Sequence, residues 1–240
     1  MKIKIADTNY ELSQQAADEI LEFTSSIKEP LICTASGDSP SGLYKELVHR
    51  VNEKESDISS WKFVGLDEWA GMNGDDQGSC RYHLNNQFYH PLKISEERIC
   101  FFDGRAKNPE EECRKTENFI KKNGNIDIAI IGLGLNGHIG MNEPGTSPTL
   151  RSHVADIDPQ TQQVGQKYFT KPQQLSQGLT LGLATIMEAK KIILIVTGSH
   201  KAAIVKEILE ENAPQLPASL LRNHPGLTIY LDKQAAQFIS

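Results

Sequence analysis

The stretch from Ile126 to Pro144 reads IDIAIIGLGLNGHIGMNEP, and its reading decides the fold. Ile128, Ala129, Ile130 and Ile131 form a continuous apolar run, the pattern of a strand buried on both faces. The run breaks at Gly132 and Gly134 and enters a turn of glycine and asparagine that carries His138 and Glu143. A buried strand ending in such a turn belongs to an α/β sheet, where ligands bind beyond the carboxyl ends of the strands. His138 is the side chain here whose ordinary pKa lies near neutrality, and Glu143 is placed to orient it.

Outward from this stretch, apolar runs at Pro30 to Ala35, Trp61 to Leu66, Lys191 to Val196 and Leu227 to Leu231 read as further strands. Shorter ones are expected at Lys2 to Ile5, an edge strand, and at Ile99 to Phe102 and Leu179 to Leu183. Helical spacing of apolar residues predicts helices over Tyr10 to Thr24, Leu43 to Val51, Ser79 to Tyr89, Pro109 to Lys122 and Ala202 to Glu211, with a short turn at Thr185 to Ala189. Residues 146–176 are polar and weakly periodic. They read as a connection containing one helix, Asp158 to Phe169, and as a candidate lid. Strands alternating with helices imply an α/β fold, a doubly wound and largely parallel sheet flanked by helices, in one domain over residues 1–240.

Charge narrows the function. The 240 residues carry 25 basic and 31 acidic side chains, net −6, with no basic block to follow a nucleic-acid backbone. No run reaches the roughly 18 apolar residues of a membrane span, and the N-terminus turns polar at once. A cytoplasmic protein with a small-molecule partner, no nucleic acid and no membrane is the expectation. Cys33, Cys80, Cys100 and Cys113 show neither a CxxC pair nor zinc spacing, so small buried residues are expected rather than disulfides or a metal site.

Four loops follow apolar strands: Ser36 to Gly42, Asp67 to Gly71, Gly132 to Pro144, and Thr197 to Lys201. A parallel sheet brings them to one edge. The loop SGDSPSG offers backbone N–H groups and the hydroxyls of Ser36, Ser39 and Ser41 to an anion. It equally fits an ordinary loop with Ser39 capping a helix ahead of Pro40, and Asp38 opposes an anion unless it points away. Asp67 and Glu68 offer either a general base or a helix cap. Gly132, Gly134 and Gly137 match GxGxxG formally, but Gly140 and Pro144 stand where the following helix should begin, so a dinucleotide turn is not expected. His83, His90, His153 and His224 lack metal-ligand spacing, and no Gly-x-Ser-x-Gly elbow occurs.

Together LDEW (Leu66 to Trp69), NGHIGMNEPG (Asn136 to Gly145), RSHVADIDPQTQQ (Arg151 to Gln163) and VTGSHKA (Val196 to Ala202) resemble the glucosamine-6-phosphate deaminase family, also called glucosamine-6-phosphate isomerases, whose superfamily includes 6-phosphogluconolactonases. The resemblance runs from Ser36 to about Ala218. It implies a Rossmann-like fold and an aldose–ketose isomerisation with deamination, without a cofactor. It implies Asp67 as the base at C2, His138 as acid/base in ring opening, Glu143 holding His138 in its charged form, and Asn136 completing that relay. Ser36, Gly37, Ser39, Lys167 and Lys201 would bind the phosphate. Asn136 replaces an Asp found in some members, so a less strongly raised His138 pKa is expected. Trp69 resembles a branch labelled galactosamine-6-phosphate isomerases. The alternatives are lactone hydrolysis and a sugar-phosphate sensor without turnover; Asn142-Glu143-Pro144 argues against the first. Monomer and homo-oligomer are both compatible with the sequence.

Overall fold

The computed structural model describes residues 1–210 and 215–239. The end of the expected last long helix, Glu211, lies outside them. Within the described residues, seven parallel strands form the main sheet: β1 (Lys2–Ala6), β2 (Leu31–Thr34), β3 (Lys62–Gly65), β5 (Ile99–Cys100), β6 (Ile128–Gly132), β9 (Lys191–Val196) and β10 (Leu227–Asp232). Their order is β1-β10-β9-β6-β2-β3-β5. The chain runs outward from β2 to β5 and then crosses back to β6, so β2 and β6 are neighbours at the point where strand order reverses. That is where an open α/β sheet leaves a crevice for a ligand.

Alternation explains the apolar runs. Leu31, Cys33, Ala129 and Ile131 enter one core, together with Cys113 and Ile120 of α4 (Pro109–Lys122) and Ile204 and Ile208 of α7 (Ala202–Leu209). Ile32, Ile128 and Ile130 enter the other, with Leu12 and Ile20 of α1 (Asn9–Thr24) and Leu43 and Leu47 of α2 (Asp38–Asn52). Side chains leaving a strand alternately meet apolar helix faces on both sides, hence the lack of polar alternation in the central strands.

Several expectations need correction. α2 begins at Asp38, with Gly37 at its N-cap (φ 121°), so Ser39 lies inside the helix and caps nothing. Only glycine adopts that φ freely, which is what brings the helix N-terminus up to the strand end. A second sheet, antiparallel, was not foreseen: β4 (Asp67–Trp69), β8 (Gln177–Thr180) and β7 (His153–Asp156), in the order β4-β8-β7. It takes Asp67 out of a loop and into a strand. The strand expected at Leu179 to Leu183 thus ends earlier, and α6 (Leu183–Met187) starts there. In residues 146–176 the helix is shorter than expected, α5 (Pro159–Gly165) followed by a 3₁₀ turn over Gln166–Tyr168. The helix expected over Ser79 to Tyr89 is α3 (Cys80–Leu84) continuing as a π-helical turn, Asn85–Tyr89. The remaining short helix, α8, spans Pro217–Leu220. All four cysteines are free and buried.

Candidate active site

The four strand-end loops do meet. They line one cavity of about 240 Å³, into which Ser36, Gly37, Asp38 and Ser39 contribute from β2–α2, Asp67 from β4, Asn136 and His138 from the β6 turn, and Lys201 from the end of β9. Thr161, Lys167 and Tyr168 close it from the α5 side. Of the residues singled out in the sequence, Glu143 lies behind the wall, and Ser41 donates instead to the Asp38 carbonyl (2.6 Å).

The imidazole of His138 is fixed from behind. Asn136 Nδ2 donates to Glu143 Oε2 (2.8 Å), so Asn136 Oδ1 is left to face His138 Nδ1, 2.7 Å away. An acceptor there requires the hydrogen on Nδ1 and leaves Nε2 as the basic nitrogen. Thr161 Oγ1 lies 3.1 Å from Nδ1 and Glu143 Oε2 3.5 Å from it. Glu143 is itself held, because its Oε1 accepts the Asp158 N–H at 3.3 Å. Gly134 makes the packing possible: a Cβ there would sit 2.2 Å from His138 Nδ1. Against the expectation of a raised value, the His138 pKa is lowered. Burial disfavours imidazolium, and the pull of Glu143 does not make up the loss, which Lys201 deepens. The histidine rests neutral at pH 7.

The Asp67-Glu68 pair divides its work. Glu68 is fully buried and accepts the N–H groups of Trp69 (2.9 Å), Cys80 (2.9 Å) and Arg81 (3.0 Å). It therefore fastens β4 to the first turn of α3, where free amides and the helix dipole favour a carboxylate. Burial nonetheless pushes its pKa up to about 7. Asp67 faces the cavity instead, and burial raises its pKa to about 6, with Cys80 pulling the other way. This is the range suited to a general base working at neutral pH.

Lysines gather at the α2 end of the cavity. Lys201 Nζ donates to the Leu133 carbonyl (2.5 Å), and burial, then the neighbouring Lys167, lower its pKa to about 8. Lys167 Nζ donates to Asp38 Oδ2 at 2.5 Å and lies 4.8 Å over the Tyr168 ring. No sequence pattern points to that pair, whose members are 129 positions apart. Thr161, His83 and Tyr168 were also missed as lining residues. Thr161 sits in one of the segments that carry the family resemblance, four residues into α5's cap-and-helix pattern, and that was the available signal. Among the described residues no group of three or more His, Cys, Asp or Glu side chains is arranged to hold a metal ion.

Comparisons with known proteins agree with this geometry. The family described as glucosamine-6-phosphate isomerases/6-phosphogluconolactonase matches residues 7–230. A glucosamine-6-phosphate deaminase of Thermoanaerobacter pseudethanolicus is 35% identical over 241 residues, covering 100% of this chain and 95% of its own. Glucosamine-6-phosphate deaminase 1 of Bacillus subtilis is 34% identical, with 98% of each chain covered. A solved structure described as a monomeric glucosamine-6-phosphate deaminase superposes with a TM-score of 0.94 at 34% identity, over 99% of both chains. The 6-phosphogluconolactonase of Trypanosoma brucei shares the fold, with a TM-score of 0.78 at 22% identity.

Proposed function

The chain belongs to the glucosamine-6-phosphate isomerase/6-phosphogluconolactonase family, and from that premise we propose that it converts a hexosamine 6-phosphate and water to a ketohexose 6-phosphate and ammonia. Glucosamine 6-phosphate is the first candidate substrate, after the names of the relatives. One observation carries the reading: a single cavity holds a carboxylate with a raised pKa, an imidazole with a free basic nitrogen, and a helix N-terminus together with two lysines from other segments.

In this reading the phosphate sits at residues 36–39, where the first turn of α2 presents amides without intrahelical partners, with Lys201 and Lys167 supplying charge. His138 Nε2 takes the proton of the C1 hydroxyl and returns it to the ring oxygen, which opens the ring to an aldehyde. A neutral resting imidazole suits that order of events. Asn136 and Glu143 position the ring and stabilise its transient charge. The aldehyde acidifies the C2 proton and accepts the electron pair when Asp67 removes it, so no cofactor is called for. Returning the proton to C1 leaves an imine at C2, and water hydrolyses it to the ketone and ammonia.

Thr161, Lys167 and Tyr168 make residues 146–176 a candidate cover over the substrate. β7 ties the early part of that segment to β8, so movement would fall to α5 and the turn after it. We take residues 1–240 as one catalytic unit. A 34% identical solved relative is described as monomeric, which supports turnover by a single copy. Charged sugar phosphates do not cross bilayers unaided, and a substrate made and kept inside the cell supports a cytoplasmic location for the reaction.

Ammonia release from glucosamine 6-phosphate and galactosamine 6-phosphate, measured side by side, tests the reading. Trp69, which lines the cavity, is the reason to include the second sugar. Release from either supports the proposal and names the preferred sugar. Release from neither, with hydrolysis of 6-phosphogluconolactone, would overturn it.

A further inference from the structure

Asp38 is the residue that this site does not account for. It stands at the first position of α2, inside the cavity assigned to the phosphate, yet it carries the wrong charge to bind one. Its carboxylate points at Lys167. In doing so it satisfies two demands that a phosphate would otherwise meet: a negative charge at a helix N-terminus and a partner for the Lys167 ammonium. We propose that Asp38 is an internal competitor for the substrate's phosphate, occupying Lys167 until a phosphate dianion displaces it. The proposal rests on the phosphate position given above.

Three observations carry it. The pair is exposed, with side chains 70% (Asp38) and 47% (Lys167) open to solvent, so it is of the weak class that a better anion displaces. The exposure of Asp38 lets solvent take up its carboxylate once it leaves. The charges also favour one kind of incoming group. Lys167 and Lys201 face one carboxylate, and replacing that single charge by a dianion neutralises both lysines. A sugar without phosphate offers Lys167 nothing in exchange, so Asp38 stays and the cavity keeps its resting contacts. Asp38 thus selects for the phosphorylated sugar by competing with everything else.

A second contact follows the same exchange. Tyr168, next to Lys167, packs edge-on against His83 with ring centroids 5.0 Å apart. Release of Lys167 from Asp38 on α2 leaves that aromatic contact with α3 in place, as it leaves the packing of Tyr168 and Phe169 on Gly78, so the cover need not open fully when phosphate enters.

The test is calorimetric binding of inorganic phosphate to the whole protein and to Asp38→Asn, each in the native and the Lys167→Met background. Asn keeps the size and the helix-start preference of Asp. In the native background Asp38→Asn is expected to lower the phosphate Kd about five-fold, the upper end of what an exposed ion pair contributes, with KM for the sugar phosphate falling in step. In the Lys167→Met background the gain should drop below about two-fold, because nothing is left to compete for. Unchanged or weaker phosphate binding in Asp38→Asn would overturn the proposal and make Asp38 a residue that positions Lys167. An equal gain in both backgrounds would also overturn it, reducing Asp38 to diffuse repulsion. Phosphate binding is read without turnover, so failure of the deaminase reading would show separately, as phosphate affinity without ammonia.

Discussion

At the scale of single residues, the site depends on who carries a proton at pH 7. His138 is neutral there because burial outweighs the carboxylate behind it, and the Nδ1 hydrogen bond goes to the neutral Asn136 oxygen at 2.7 Å rather than to Glu143, 3.5 Å away. Asn136→Asp would place a charge within hydrogen-bond reach of Nδ1. We expect the His138 pKa, followed by NMR of the imidazole, to rise by about one unit or more in that variant; an unchanged value would remove Asn136 from the relay. In the proposed reaction Asp67 and Lys201 set the pH limits. Asp67 must be ionised to act as a base, so kcat/KM should fall as pH drops through about 6. Lys201 must be charged to hold a phosphate, so it should fall again as pH rises through about 8. A pH profile without the upper limb would show that Lys201 does not meet the phosphate.

At the scale of elements, Glu19 joins α1 to three strands of the main sheet. Its carboxylate accepts from Lys4 on β1 (2.8 Å), Lys191 on β9 (2.5 Å), and Thr228 (2.8 Å) and Tyr230 (2.6 Å) on β10. Burial works against its charge, but these four partners hold its pKa far below the usual carboxylate range. A depressed folded-state pKa contributes stability above the unfolded value, near 4.5, and loses it as pH falls below. Glu19→Gln should cost about 2 kcal/mol at neutral pH, or roughly 6 °C in Tm. The gap to the native protein should narrow as pH falls below about 4.5 in thermal melts. A gap independent of pH would mean that shape rather than charge holds the cluster.

The same scale explains what the sequence could and could not reveal. Ile128 to Ile131, Lys191 to Val196 and Pro109 to Lys122 were legible because one local pattern, burial on two faces or on one helical stripe, fixes each element. β4 and β7 were not, and β8 was placed two residues late, because their pairing is set by partners far along the chain: Asp67 opposite Thr180, and His153 opposite Thr180 from the other side. Asp67, His138 and Lys201 were legible as strand-end residues once the sheet was parallel. The Asp38–Lys167 pair and the sign of the His138 shift were not, since both depend on distances and burial that only the folded chain defines.

At the scale of the whole molecule, strand order does the assembly. The reversal between β2 and β6 opens the crevice, and the small antiparallel sheet carries Asp67 into it on β4 while β7 leads into α5 with Thr161, Lys167 and Tyr168. In the proposed reaction the main sheet supplies the phosphate end and the imidazole, and the small sheet supplies the base and leads into the candidate cover. The central claim is that Asp67 moves the C2 proton. Its most direct test is Asp67→Asn, with ammonia release from glucosamine 6-phosphate and substrate affinity measured on the same preparation. Loss of a general base predicts a rate lower by about 10²–10⁴-fold, with affinity within a few-fold of the native protein. Ammonia release near the native rate would contradict the account.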